Sequence, residues 1–508
     1  MTISIKWIIA SFVLYLAMMI VVGFRDMKSN NSSGDYFLGG RQLNGFVAAL
    51  SAQASDMSGW LLMGLPGSVY ALGTGQIWIA VGLFMGTVLN WIFISTRLRR
   101  YTICTDSITL PRYFENRFHD ESRWLLLLSS AAILIFFLVY TASALSAGGK
   151  LFNTVFGMDY HIALTVGAIV ILTYTLLGGF SAVCDTDSIQ GSIMFIGLVI
   201  VPIIGLFMIG DLNGALAANG VQDTKAFLDP MHENGVKISF ISIISQLAWG
   251  LGYCGMPHIL VRFMAVSSES ELKRAKAIGI GWCGFSLAFA CIIGVVGRGY
   301  LTTDLASIGE QENVFMLMIM KMFAEDFHLP IIGGIFLCGI LAAIMSTADS
   351  QLLVTASSVT EDIWLGFFRK KITDKQAVWM SRAVVLIVAA LAYVIAWNPD
   401  NSIMGLVSDA WAGLGSAFGP AVLMSLYWKR TNKYGAGAGI AVGALLVLFW
   451  DYIAVFDGKT ASTVTGIYSL LVGFIASLIA IVVVSLATKA PDEGMIKDFE
   501  KVNSSEVM

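Results

Sequence analysis

The sequence predicts an all-α integral membrane protein with about 13 transmembrane helices, each needing about 20 mostly apolar residues, and three observations carry that reading. Of its 508 residues 57% are hydrophobic and only 13% charged, against roughly 25% charged in an ordinary soluble protein; the mean hydropathy is +0.77. Uncharged apolar runs recur along the whole length. When Lys and Arg are sorted by alternate loops, 24 of the 31 fall on one side and seven on the other, which assigns the richer side to the cytoplasm. An odd number of spans, with the N-terminus outside and the C-terminus inside, satisfies that asymmetry.

The first run, residues 7–24, lacks an A-x-A cleavage pattern and has Arg25 and Lys28 after its apolar stretch, so it reads as a retained span and not as a signal peptide. Further runs occupy 43–63, 77–94, 124–145, 162–177, 189–209 and 238–253, then 277–296, 331–354, 383–397, 403–428, 436–450 and 464–486. They divide the chain into a first span and cytoplasmic loop (1–42), five spans (43–210), an external loop (211–237), five more spans (238–428), two final spans (429–486) and a cytoplasmic tail (487–508).

Several function classes are excluded at this level. Net charge is −3 with the basic residues spread along the chain, so no concentrated basic face awaits a nucleic acid. No GxxxxGK[ST], HExxH or GxSxG pattern sits at a plausible loop position, which leaves ATP-driven and hydrolytic chemistry without their usual parts. The six cysteines show no CxxC or Cys/His spacing and read as packing residues. Nothing in the chain signals an organic cofactor or an obligate protein partner beyond the bilayer. An ion gradient is the remaining source of work.

The second span contains Ser51, Gln53, Ser55, Asp56, Ser58 and Gly59 in the stretch ALSAQASDMSGW, too polar and glycine-weakened to face lipid, so it must line protein or a cavity. Asp56 either caps a broken half-helix through backbone amides or supports an ion; the two are compatible, because a break that frees amides also frees carbonyls. The seventh span, SQLAWGLGYCGMPHI, crowds Gly250, Gly252, Gly255 and Pro257 at one end. Two interrupted spans five apart point to inverted repeats with a midplane site between them, although the glycines also suit close helix packing alone.

In the ninth span, LAAIMSTADSQ places Ala343, Ser346 and Thr347 at i, i+3 and i+4 on one helix face. Two hydroxyls on a small-residue face supply the oxygen ligands of a small hard cation, unless they only bond back one turn. Asp349 is expected at the cytoplasmic mouth of the same path. Asp185 and Asp187 are expected in a turn between spans five and six, capping or drawing cations to an inner vestibule. His258 is expected to donate to a backbone carbonyl, and Asp409 carries a weaker signal. Trp60, Tyr140, Trp249 and Tyr253 are rings of core, belt or substrate wall.

These segments together, LGGRQLNGF, ALSAQASDMSGWLLMGLPGSVY, GGFSAVCDTD, WGLGYCGMPHILVRFMA and ILAAIMSTADSQLLV, resemble the sodium:solute symporter family along nearly the whole chain. The resemblance implies a LeuT-type 5+5 inverted repeat with flanking helices, spans two to six and seven to eleven forming the repeats, in a multi-pass protein of the cell membrane. It implies sodium-coupled import of L-proline by alternating access. A sodium site would use the carbonyls of Ala54, Met57 and Ala343 and the hydroxyls of Ser346 and Thr347, with Asp56 in support and Asp187 linked to ion passage on the inner side. The solute would be lined by Ser58, Gly59, Trp60, Tyr140, Trp249, Tyr253 and Pro257. Gln53, the Cys184-Asp185 pair, Cys254 and Met256 depart from the usual family residues, which leaves open another small amino acid or carboxylate as cargo. A solute-binding membrane sensor is the reading from a different class, and the lack of a cytoplasmic domain argues against it.

The charge sort makes a direct prediction. A cysteine introduced near Asp374 should be protected from an impermeant thiol reagent added to intact cells, and one near Asp223 should react; the opposite labelling would reverse the orientation.

Overall fold

The structure, a computed structural model, describes residues 3–26, 37–176, 179–307, 309–370 and 372–504. Among the described residues nine helices are long and apolar enough to cross a bilayer. They are α1 (Ile3–Asp26), α4 (Thr74–Cys104), α6 (Trp124–Phe156), α8 (Phe180–Ile209), α11 (Glu269–Tyr300), α12 (Pro330–Phe367), α13 (Asp374–Ala396), α15 (Lys433–Tyr452) and α16 (Ser469–Ala487). The other expected crossings are shorter or more polar. These are α7 (Tyr160–Thr175), the glycine-rich α14 (Ile403–Tyr427), and two interrupted helices, one split into α2 (Gly45–Asp56) and α3 (Trp60–Leu72), the other into α9 (Phe240–Leu247) and α10 (Pro257–Ala265). A short, largely buried helix, α5 (Leu110–Arg117), and a tail helix, α17 (Glu493–Asn503), complete the set.

The sequence places the breaks correctly but misjudges lengths, because a helix continues past the hydrocarbon wherever neighbouring helices still satisfy its side chains. The second span reaches Leu72 and the fourth runs 33 residues. The expected turn holding Asp185 and Asp187 does not exist: both lie inside α8, which starts at Phe180.

At the centre, α12 packs against α1, α2, α6 and α8, while α2 is enclosed by α8, α10, α11 and α12. The outer rim is built by α15 and α16, which pack on each other and on α14. Close approach at the second break depends on glycine. A Cβ on Gly250 would lie 2.1 Å from the carbonyl oxygen of Gly82, and one on Gly86 would lie 2.1 Å from that of Gly250.

The start of one interrupted helix and the end of the other are tied to each other. Leu43 and Val266 form an isolated parallel bridge, with Leu43 N donating to Ala265 O at 3.1 Å and Ser267 N to Leu43 O at 3.0 Å. Arg41, the arginine of the GGR segment, donates to the carbonyls of Met264, Thr102 and Ser107 at 2.7, 3.0 and 2.8 Å, and Arg99 reaches those of Val266 and Ser267, both at 2.8 Å. Glu271 caps α2 through Gly45 N at 2.6 Å. On the opposite face, Glu312 pairs with Lys150 at 2.7 Å and accepts from Ser402 Oγ and Met404 N at 3.0 and 3.1 Å. The segment between α11 and α12 is thereby pinned across the ends of α6 and α14.

Glycine substitutions should separate close packing from helix propensity. Gly250→Ala should lower the thermal midpoint of the purified protein. Gly281→Ala, in α11 with open space around its Cβ, should leave the midpoint unchanged or raise stability by up to about 1 kcal/mol.

Candidate functional site

Two breaks, one in each half of the chain, set the site. α2 stops at Asp56 because Met57 takes a non-helical conformation, φ −84° and ψ 77°, and the helix resumes at Trp60 through a wide π turn. In the other half, α9 tightens into a 3₁₀ segment over Ala248–Gly255, Met256 is extended at φ −86° and ψ 105°, and Pro257 opens α10. Proline suits that position because a first-turn residue needs no helical N–H.

Four of the five residues expected to supply oxygen lie together. Ser346 Oγ lies 2.8 Å from Ala54 O and 3.2 Å from Ala343 O, and Thr347 Oγ1 lies 3.4 Å from Ala54 O. All four residues are essentially shut off from solvent. The back-bonding alternative holds for Ser346 only in part, since its nearer partner is Ala54 across the helix interface. Met57 sits at the unwound turn beside them, its own N–H donating to Gln53 O at 2.9 Å. A hydroxyl can rotate its proton away and present a lone pair, so carbonyls and hydroxyls so grouped can hold a small hard cation. Among the described residues no group of three or more His, Cys, Asp or Glu side chains is arranged to hold a metal.

Asp56 does not cap the half-helix through backbone amides as the sequence allows. Its Oδ2 accepts from Tyr253 Oη at 2.5 Å, which links the two breaks directly, and its Oδ1 has no hydrogen-bond partner. Trp60 Nε1 donates to the carbonyl of Asp56 at 2.9 Å, and Trp60 N–H reaches Ser58 Oγ at 3.4 Å. Tyr140 is buried with its hydroxyl unpartnered. Trp249 is 6% exposed, and Pro257 is buried at the start of α10. Gly59 permits close approach of α6: a Cβ there would lie 2.8 Å from Ala147 Cβ.

Asp187 is brought to a place the loop assignment does not anticipate. It is fully buried, and its Oδ2 accepts from Ser51 Oγ of α2 at 2.6 Å and from Arg262 Nη2 of α10 at 3.2 Å. Arg262 also donates from Nε to Ser51 Oγ at 3.1 Å, from Nη1 to His258 O at 2.7 Å and from Nη2 to Ser350 Oγ of α12 at 2.6 Å. One buried ion pair therefore joins α2, α8, α10 and α12. The charge sort counts Arg262 as a cytoplasmic loop cation; the structure leaves it 1% exposed. The sequence signal that points to it is Asp187 itself, since an intramembrane carboxylate needs a partner.

Two further expectations are corrected. Asp349 is fully buried and receives Ser350 Oγ at 3.4 Å, so it does not stand at an open mouth. His258 makes no ring hydrogen bond to a carbonyl: both ring nitrogens lack a partner, and the ring packs edge-on against Phe137 and Tyr140 with centroids 5.5 and 6.1 Å away. Asp409 accepts from Tyr452 Oη at 2.5 Å.

A midplane site between two broken helices in a 5+5 arrangement defines a secondary transporter of the LeuT type. Comparison with known proteins agrees: the sodium:solute symporter family profile matches residues 36–443, and the chain belongs to that family. It is 44% identical to an osmoregulated proline transporter of Bacillus subtilis, over 97% of each chain. It is 42% identical to the sodium/proline symporter of Escherichia coli, over 98% of this chain and 96% of that one. Among solved structures, a Na+-coupled sialic acid symporter superposes with a TM-score of 0.76 at 20% identity, covering 96% of this chain and 99% of the other. Mhp1, a nucleobase-cation-symport-1 family transporter, superposes at 0.55 and 14% identity, over 93% and 99%. Both show the shared fold.

A double-mutant cycle should reveal the buried pair. Asp187→Asn and Arg262→Met alone each strand a buried group and should destabilise by roughly 3–5 kcal/mol. The double variant should recover part of the loss, with a coupling of about 0.5–3 kcal/mol. Additive effects on the thermal midpoint would deny the contact.

Proposed function

We propose that the chain is a symporter of the cell membrane that imports L-proline with sodium, performing transport and no chemical transformation. Identity above 40% over nearly full length to proline transporters supports the cargo. The observation that carries the ion assignment is the meeting of Ser346 and Thr347 with the Ala54 carbonyl at the break of α2. A ligand set of neutral carbonyls and hydroxyls suits a monovalent hard cation, whereas Zn²⁺ or Ca²⁺ sites draw on imidazole, thiolate or several carboxylates. In this reading Ala54, Met57, Ala343, Ser346 and Thr347 bind sodium, and Asp56 supports them by holding the α2 break to Tyr253. Ser58, Trp60, Tyr140, Trp249, Tyr253 and Pro257 line the solute. Gly59 contributes by letting α6 approach. Asp187 with Arg262 closes the inner side and must separate when the ion leaves that way.

Coupling follows from geometry. An ion shifts an equilibrium only by its differential affinity for the two states. Sodium between α2 and α12 draws the two helices together at the residue that precedes Met57, Ser58 and Trp60, so the solute meets a preset wall. Proline must then strengthen sodium binding by the same factor. One sodium ion gains about 2.3 kcal/mol per 100 mV of membrane potential. A tenfold sodium gradient adds about 1.4 kcal/mol. Together these support a several-hundred-fold proline gradient at one-to-one stoichiometry, on the order of RT ln of that ratio.

Uptake of radiolabelled proline into proteoliposomes, driven by sodium, lithium or proton gradients and challenged with unlabelled competitors, tests the function. Absence of sodium-driven uptake would remove it. Thr347→Val keeps the side-chain shape but deletes one ligand, so apparent sodium affinity at saturating proline should fall about tenfold or more, with Thr347→Ser mild. An unaltered sodium dependence in folded Thr347→Val would take Thr347 out of the site.

A further inference from the structure

Trp249 is held in place twice by residues that belong to none of the motifs. Its carbonyl accepts from Trp411 Nε1 of α14 at 2.8 Å. Its indole is stacked by Tyr468, ring centres 5.1 Å apart and planes 21° from parallel. Trp411 is 1% exposed and meets the Tyr253 ring edge-on at 5.1 Å. It fits only because position 252 is glycine, where a Cβ would lie 2.0 Å from Trp411 Nε1. Tyr468 immediately precedes α16 and is anchored on both sides: its hydroxyl donates to Ser408 O of α14 at 2.8 Å, and its N–H donates to Ser245 Oγ of α9 at 3.2 Å.

We propose that Tyr468 and Trp411 are positioning residues that set the ring size accepted by the solute site. An indole stacked on one face presents only its other face and edge to a ligand, and a ring backed by a second ring cannot tilt away to admit a larger one. Tyr468 fixes the plane of Trp249, and Trp411 fixes the backbone that carries it and the angle of Tyr253. Because α16 lies outside the two five-helix repeats, selectivity reaches the midplane from a flanking helix through an aromatic chain Tyr468–Trp249, Trp411–Tyr253, ending on Asp56. The inference rests on the reading in which Trp249 and Tyr253 line the solute.

The test is equilibrium binding of proline and of its six-membered-ring homologue, pipecolate, to purified wild type, Tyr468→Phe, Tyr468→Ala and Trp411→Phe, with sodium titrated at saturating proline. Tyr468→Phe keeps the stack and should bind proline within about twofold of wild type. Tyr468→Ala should weaken proline about three- to tenfold, the worth of an aromatic pair. Pipecolate should lose less, so the selectivity ratio moves toward the larger ring while sodium affinity stays within about twofold. Trp411→Phe, which deletes the donor to Trp249 O, should shift the ratio the same way. A role in packing alone predicts instead that both solutes and sodium weaken in step. An unchanged proline-to-pipecolate ratio in folded Tyr468→Ala overturns the proposal; if that variant does not fold, an unchanged ratio in Trp411→Phe does so. Wild type that binds pipecolate or another solute but no proline would overturn the functional reading itself, a separate outcome.

Discussion

Backbone carbonyls stripped of their helical partners cannot face hydrocarbon, where each unsatisfied group costs several kcal/mol, and the architecture of this protein is arranged around two places where that happens. The helices break at Met57 and at Met256, and both residues are fully buried. The breaks are tolerable because α2 is walled in by α8, α10, α11 and α12, and because the 3₁₀ segment of the other break lies against α4, α14 and α16. The same burial makes those oxygens usable as ligands. A carbonyl left without a helical donor, shielded from water and facing two hydroxyls one helix away, is the arrangement at Ala54.

Charge is handled under the same restriction. Two buried carboxylates are tied to the interrupted helices. Asp56 meets Tyr253 across the two breaks. Asp187 meets Arg262, and through Ser51 and Ser350 the pair touches both the helix that bears Ala54 and the helix that bears Thr347. A buried pair of this kind gives modest net stability but is costly to break one-sidedly, so it suits a contact that must be either fully made or fully exchanged. The ties between Leu43 and Val266, with Arg41 and Arg99 on the surrounding carbonyls, place a second set of polar bonds at the joined ends of the same two helices.

The sequence by itself determined where the apolar runs lie and the positions of both breaks. Hydrophobic runs and glycine-rich polar interruptions follow from local solvation and backbone propensity, and each can be read within a window of one helix. It also singled out Ala343, Ser346 and Thr347, because i, i+3, i+4 spacing fixes a face without knowledge of what the face meets, whereas Ala54 came only from the family resemblance. Only the tertiary structure decided the partners. Whether Asp56 bonds amides or a phenol, whether Asp187 lies in a turn or inside α8, and whether Arg262 is solvated or buried all depend on side chains 75 to 211 residues away. No local pattern encodes such distances. Trp411 and Tyr468 carry no motif at all, since a ring that works by stacking behind another ring looks, in sequence, like any other aromatic of a membrane helix.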